Sequence, residues 1–564
     1  MIDFNPGLIM IFGGILNPFI HDRLRSALLL MLPTLGFAYT LGLEDGTSVY
    51  LEVFDYTLET LRVDKLALVW GYIFHIAAFL GALYAIHESD RLQSAMAQIY
   101  MGSAIAAVFA GDLITLFVFW ELTAISSVFL IWASRTERAF HAGMRYLLIQ
   151  IGSGVLLLAG TIILFSNTNS IAFNHIGIES LSGKIIFLAF GIKCAFPLLH
   201  NWLQDAYPEA TVTGTVILSA FTTKLAVYAL ARSYAGTDIL IIIGSIMTAF
   251  PIFYAVIEND LRRVLAYSLN NQLGFMVVGI GVGSEMALNG TAAHAFSHIL
   301  YKALLFMSMG AVLYRTGTIK GSELGGLYKS MPWTTVFCII GAASISAFPL
   351  FSGFISKSMI LTALGHEGYW LSWAVLVFAS AGVFHHSGIK IPYFAFFAHD
   401  SGLRPKEAPF NMLLAMAISA ILCVGIGVYP TALYTILPYP VDYVPYTTAH
   451  VITQLQLLFF SALAFTYLMV SGLYPPELRS TNLDFDWVYR KFFPYLIKLL
   501  KFQVKFHERQ VRRFFITIIS DSLKLIDYYF GYDSKLARTL PVGSMVFLTL
   551  GMLSLFLLLY LFGG

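Results

Sequence analysis

Apolar positions along this chain seldom alternate with polar ones; they run on in long blocks separated by short clusters of charged residues, glycine and proline. Blocks of that length read as membrane-spanning helices. They predict about sixteen spans, at 7–20, 26–43, 64–86, 92–111, 112–134, 142–165, 181–199, 212–231, 238–258, 261–283, 289–314, 331–363, 370–398, 409–430, 450–473 and 541–562. Residues 484–538 differ, because basic residues mix there with aromatic and aliphatic ones at helical spacing and no long uncharged run occurs. This segment reads as an amphipathic helix lying along the membrane surface, ahead of a last anchor at 541–562. The first residues, MIDFNPGLIM, lack a basic n-region and read as the first span, not as a removed signal. The expected fold is an all-α polytopic membrane protein.

Charge orients these spans. Arg23, Arg25, Arg91, Arg135, Arg138, Arg262, Arg263, Arg315, Lys320, Arg404 and Lys406 fall in odd-numbered connections, whereas the even connection 44–63 carries Glu44, Asp45, Glu52, Asp55 and Glu59. The positive-inside rule places the odd connections and the lateral helix in the cytoplasm and both termini outside.

Composition narrows the function. With 58% hydrophobic and 12% charged residues the core is built in lipid, and a net charge of +2 gives no reason to expect nucleic acid. Cys194, Cys338 and Cys423 stand singly in apolar stretches, which excludes a cysteine-ligated cluster or a disulfide framework. Neither a dinucleotide fingerprint nor a Walker loop is present, and no cofactor is called for.

Ionisable residues inside the spans are the candidate chemistry. A charged side chain at mid-membrane depth costs roughly 2.5–3.5 kcal/mol or more, so such residues face protein or a hydrated cavity. In NGTAAHAFSHILYKALLFMSMGAVLY, His294, His298 and Lys302 recur at four-residue steps and share one helix face. A ladder of groups that gain and release protons reads as a relay. The competing readings are a zinc pair, which lacks the protease glutamate, and two core histidines beside a snorkelling lysine.

Glu121 lies mid-span and needs a cationic partner, whereas Asp112 reads as a charge at a helix N-terminus. Lys193 is the expected partner, and making and breaking that pair is a means of holding and releasing a proton. Pro197, four residues on, should break the helix beside it. Lys224 adds a further buried cation. Pro349 and Gly353 predict a second break, followed by Lys357; two broken helices suggest inverted repeats. His385, His386 and Lys390 read either as a proton exit or as interface residues near a helix end.

The segments GDLITLFVFWEL, GIKCAFPLLHNWLQDAYPEATVTGTVILSAFTTKLAVYALAR, LRRVLAYSLNNQLGF and HAFSHILYKALLF resemble, in the same order, the antiporter-like membrane subunits shared by Mrp-type Na+/H+ antiporters and respiratory complex I. The resemblance covers about residues 60–400. It implies a fourteen-helix core with two inverted five-helix repeats and broken helices 7 and 12, and a hydrated proton axis through Glu121, Lys193, Lys224, His294, His298, Lys302 and Lys357. The expected organisation is helices 1–3 over 1–91, repeats over 92–236 and 237–400, two further helices over 401–480, the lateral helix over 481–540 and the anchor over 541–564.

The core is most similar to the D-type Mrp subunit, while the tail is similar to the large A-type one of Mrp complexes, as well as to the longest membrane subunit in complex I. Asn270-Asn271-Gln272 and Ser358 depart from the family pattern. The function implied is proton translocation in a multi-subunit Na+/H+ antiporter of a bacterial inner membrane. The partners implied are other hydrophobic subunits, protons, Na+ and anionic lipid at the lateral helix. A pump arm of a complex I-like oxidoreductase or membrane-bound hydrogenase is the first alternative, a coupling subunit for inorganic carbon uptake the second, and a structural scaffold the plain reading.

Overall fold

The computed structural model describes residues 3–475, 482, 484–534, 538 and 541–562. The chain divides into two units, Met1–Asn482 and Leu483–Gly564. Helices of the first unit follow the predicted spans closely: α1 Gly7–Leu16, α2 Asp22–Leu41, α3 Lys65–Tyr84, α4 Arg91–Val108, α5 Leu113–Trp132 and α6 Glu137–Thr168. The seventh and eighth spans are each two pieces, α7 Leu181–Lys193 with α8 Asn201–Ala206, and α9 Val212–Ala220 with α10 Thr222–Ser233. Next come α11 Ile239–Ile257, α12 Leu261–Val282 and α13 Glu285–Thr316, then the divided twelfth span, α14 Pro332–Ile345 with α15 Ser352–His366. α16 Trp370–Val383 continues into π-helical turns at Phe384–Lys390, and α17 Phe410–Val428, the short α18 Thr431–Tyr434 and α19 Thr448–Val470 complete the unit. Among the described residues eleven helices are long and apolar enough to cross a membrane; the other predicted spans fall short because they are divided, brief or polar.

One element was not expected from the sequence. The acidic connection 44–63 folds into an antiparallel hairpin, β1 Ser48–Val53 with β2 Tyr56–Arg62. Its far edge is covered, since the N–H of Gly111 donates to Glu59 O (2.9 Å) and the N–H of Arg62 to Phe109 O (2.8 Å). Pairing an edge strand in this way removes the exposed ladder that would otherwise invite association.

Close helix packing rests on glycine pairs. A Cβ on Gly7 would lie 2.2 Å from Gly102 O, and one on Gly102 would lie 2.7 Å from Gly7 O, so α1 and α4 touch backbone to backbone. Gly244 and Gly274 do the same for α11 and α12, at 2.7 and 2.6 Å from each other's carbonyl oxygens. Small residues that let backbones approach are how helices associate where lipid removes the hydrophobic drive.

Connections gather at two ends. Those at one end bond together through Ile176 N–H to Ser233 O and Gly236 N–H to Ile280 O (both 2.9 Å), and those at the other through Arg135–Asp90 (3.0 Å) and Lys320–Asp260 (2.8 Å).

The two predicted breaks share one sequence and one backbone. Ala195-Phe196-Pro197-Leu198 follows α7, and Ala347-Phe348-Pro349-Leu350 follows α14. Both alanines (φ 63° and 57°) and both leucines (φ 70° and 75°) are left-handed. The N–H of Phe196 reaches Gly191 O and that of Phe348 reaches Ala343 O, each at 3.0 Å, closing the helix ends with a six-residue loop of the Schellman type. Gly353 lies in the first turn of α15, where a Cβ would meet Ser344 O at 1.9 Å; it permits the two halves of the span to pack end to end.

In the second unit, α20 Phe493–Phe530 runs for 38 residues and α21 Val542–Phe562 for 21. Lys498, Lys501, Lys505, Arg509 and Arg512 recur at three- and four-residue steps along α20 and share one face. α21 carries no charged residue.

Candidate functional site

Three ionisable groups meet or border α5 in the first half of the unit. Lys193, the last residue of α7 and 0% exposed, donates from Nζ to Trp120 O and Thr123 Oγ1, both at 2.9 Å, and lies 4.1 Å above the Trp120 ring. Glu121, the expected partner, does not contact it. Successive residues of a helix point about 100° apart, so a lysine seated on Trp120 and Thr123 leaves Glu121 aimed elsewhere. Its Oε1 is buried without a hydrogen-bond partner, in a notch on α6 where a Cβ on Gly154 would lie only 1.5 Å from it. Glu121 is half-buried, and it remains within Coulomb range of Lys193. Asp112 caps α5, accepting from the N–H groups of Ile114 (2.8 Å) and Thr115 (2.7 Å), in keeping with its reading as an N-terminal charge.

Lys224 occupies an interruption that nothing in the sequence announces, since no proline or glycine is near. The N–H of Thr222 donates to the Tyr100 hydroxyl (3.0 Å), not to Leu218 O, and Leu218 O accepts from the Tyr207 hydroxyl (2.9 Å). Two tyrosines thus take over both ends of one helical hydrogen bond. The turn so opened gives Lys224 Nζ a carbonyl, Ser219 O, at 2.6 Å.

α13 carries His294, His298 and Lys302, all 0% exposed. The imidazoles are 6.1 Å apart by ring centroid. Both ring nitrogens of His298 and Nζ of Lys302 lack a protein partner. Buried groups of this kind are nearly always satisfied, by water if by nothing else. Lys357 on α15 donates to Ile345 O (2.7 Å), the carbonyl that ends α14, and faces the Phe275 ring at 5.1 Å. Lys302 lies within Coulomb range of both Lys224 and Lys357, and all three lysines lie within Coulomb range of His298. Basic side chains from three helices, α10, α13 and α15, are thus buried near one another. Among the described residues no three His, Cys, Asp or Glu side chains are grouped to hold a metal ion.

Residues 110–393 match the profile of the family described as NADH:quinone oxidoreductase/Mrp antiporter, TM. The chain belongs to this family. The matched segment contains every candidate residue from Glu121 to Lys390. Among its relatives are the A-type and D-type Na(+)/H(+) antiporter subunits of Alkalihalophilus pseudofirmus. The A-type relative is 28% identical, over 75% of this chain and 61% of its own length; the D-type relative is 30% identical, over 52% and 63%. The chain thus spans less than two thirds of either relative. The membrane-bound sulfane sulfur reductase, an archaeal respiratory membrane complex, contains a chain of the same fold: TM-score 0.72, 22% identity, covering 98% of this chain and 99% of that one.

Within this antiporter-type fold the α16 extension separates its three candidates. His386 points inward, its Nδ1 2.9 Å from Ser387 Oγ, which in turn donates to Ser268 Oγ (2.7 Å). His385 points away, stacked on Tyr474 at 5.6 Å and 13°. Lys390 donates to Val256 O (2.6 Å) and Glu258 O (2.7 Å), capping the end of α11. Sequence reasoning missed Tyr100 and Tyr207, which resemble any core tyrosine until their partners are known. Gln272 and Tyr301 were missed as well, although the unusual Asn270-Asn271-Gln272 run pointed to the place.

Proposed function

We propose that this chain is the proton-translocating subunit of a multi-subunit Na+/H+ antiporter of the Mrp type. The observation that carries the reading is the burial of Lys193, Lys224, His298, Lys302 and Lys357, three of them beside helix interruptions, in a member of this family. Protons pass along a track of these residues by water bridging between groups that gain and release them. Glu121, half-exposed on α5, answers to a cationic group of a neighbouring protein in the complex, and its move toward or away from Lys193 gates the first half. The matched Ala-Phe-Pro-Leu breaks support two inverted repeats, at 92–236 and 237–400. His294 serves as a track member and His386 as the inner end of an exit, while the capping bonds of Lys390 favour a structural role for it.

The setting is a bacterial inner membrane, with basic connections in the cytoplasm and termini outside. α20 lies along the cytoplasmic surface, where its basic face meets anionic lipid or a neighbouring subunit. A second reading, a pump arm of a redox-driven complex, is favoured by the respiratory-complex chain that matches 98% of this one, tail included.

Gentle purification of the tagged chain from native membranes, followed by identification of its partners and assay of Na+-dependent proton flux in vesicles, separates the two. Hydrophobic partners with Na+-dependent flux support the antiporter; iron–sulfur or flavin partners without Na+ dependence overturn it in favour of the redox arm.

A further inference from the structure

We propose that Asn271, Gln272 and Tyr301 form an orientation clamp that holds His294 as the tautomer protonated on Nε2, with Nδ1 turned to Ser356, and that the clamp itself conducts no proton. The starting point is a backbone carbonyl. Thr248 O on α11 can only accept, so the Asn271 group facing it is the Nδ2 amine, and Asn271 Oδ1 is left as an acceptor. Gln272 Nε2 donates to that oxygen at 2.6 Å, which turns Gln272 Oε1 outward, again as an acceptor. The Tyr301 hydroxyl donates to Gln272 Oε1 at 3.1 Å. A hydroxyl has one hydrogen, so the Tyr301 oxygen meets His294 Nε2, 3.4 Å away, as an acceptor. The hydrogen between them belongs to His294.

A neutral imidazole carries one N–H, which makes Nδ1 the acceptor; Ser356 Oγ lies 3.0 Å from it, nearer than the Ser352 and Gly353 carbonyls it also faces at 3.3 and 3.4 Å, so its single hydrogen goes to Nδ1. Orientation is thereby passed from a main-chain carbonyl through three side chains to one ring nitrogen, all of it buried. Tight packing keeps the first link in place, because Gly274 lets α12 approach α11 so closely that a Cβ there would lie 2.6 Å from Thr248 N.

Function follows from the chemistry of the links. Primary amides neither take nor release a proton near neutral pH, so the Tyr301–Gln272–Asn271 branch is closed to protons. The open side of His294 is Nδ1, toward Ser356 and its neighbour Lys357. Asn271, Gln272 and Tyr301 are positioning residues, and this functional consequence rests on the proton-carrying reading; the tautomer itself does not.

Solid-state 15N NMR of the full-length chain in lipid bilayers, with labelled histidine, reads the tautomer directly. Subtracting the spectrum of His294→Asn isolates the His294 signals. The expected result is protonation on Nε2 alone in the wild type, and a mixture with the Nδ1-protonated form in Tyr301→Phe and in Gln272→Leu. A wild-type His294 protonated on Nδ1 or on both nitrogens overturns the clamp, as does an unchanged tautomer in Tyr301→Phe. Proton flux of the same variants in the purified complex is measured alongside. A changed tautomer with undiminished flux leaves the clamp standing and counts against the proton-carrying reading.

Discussion

Lys302 sits at 0% exposure with no protein group bonded to its Nζ, a placement that no folding argument favours. Burying a charge without a partner is costly, so exchanging it for an apolar side chain of similar volume relieves that cost. Lys302→Met is therefore expected to raise, or at least preserve, the thermal stability of the purified protein while proton flux is lost. A fall in both would mark Lys302 as structural. Gly154→Ala tests the Glu121 notch, since the added methyl would displace the carboxylate oxygen now 1.5 Å from that position. Flux in Gly154→Ala should drop toward that of Glu121→Ala with assembly intact; wild-type flux would dissociate the notch from gating.

Asp400 offers a pH test outside the spans. Hydrogen bonds from Arg404 and Lys329 hold its carboxyl well below the ordinary carboxylate range. A depressed native value means the native state resists protonation more than the unfolded chain. The contribution of Asp400 to stability is thus present above the unfolded value of about 3.9 and is lost as pH falls below it. The difference in melting temperature between wild type and Asp400→Asn should stay constant from about pH 7 to pH 5 and shrink below about pH 4.

At the scale of elements, the breaks after α7 and α14 show how much a short motif dictates. Proline accounts for where each helix stops, but the left-handed Ala and Leu residues decide how the chain turns, at a cost of about 1–2 kcal/mol each. Ala347→Gly should be tolerated and Ala347→Val should lower stability by at least about 1 kcal/mol, because a β-branched residue resists positive φ. Equal melting temperatures for the two variants would contradict that account.

The interruption between α9 and α10 is of the other kind. Its sequence is ordinary helix, and only Tyr100 from α4 and Tyr207 from the turn after α8, brought in from distant positions, open it. Tyr100→Phe with Tyr207→Phe should let the Thr222 N–H return to Leu218 O, seen as slower hydrogen exchange in the 218–224 peptide; exchange as fast as in wild type would refute the tyrosine lock. The hairpin at 48–62 escaped notice for a related reason. Its alternation is half masked by acidic residues, and its pairing is completed by Gly111 and Phe109 from another connection.

For the molecule as a whole, the charge of the connections predicts sidedness. Cys194, Cys338 and Cys423 are all buried, so a cysteine introduced at Glu44 or at Lys406 can be labelled on its own. Labelling of Glu44→Cys, but not of Lys406→Cys, by an impermeant reagent added outside intact cells is the expected outcome, and the reverse pattern would invert the topology.

What the sequence by itself determined were the properties that composition and short-range sterics impose. These are the spans, the proline breaks, the amphipathic tail, and the presence of lysines and histidines where lipid would not tolerate them. Each follows from the cost of exposing backbone or charge to hydrocarbon, which a linear chain already displays. Only the tertiary structure decided how those residues meet. It turned Glu121 to Gly154 and Lys193 to Trp120, sent His385 and His386 to opposite sides, made Lys390 a helix cap, and linked Thr248 to His294 through three side chains. Hydrogen-bond partners and orientations depend on directions between helices far apart in sequence, and no local pattern encodes those.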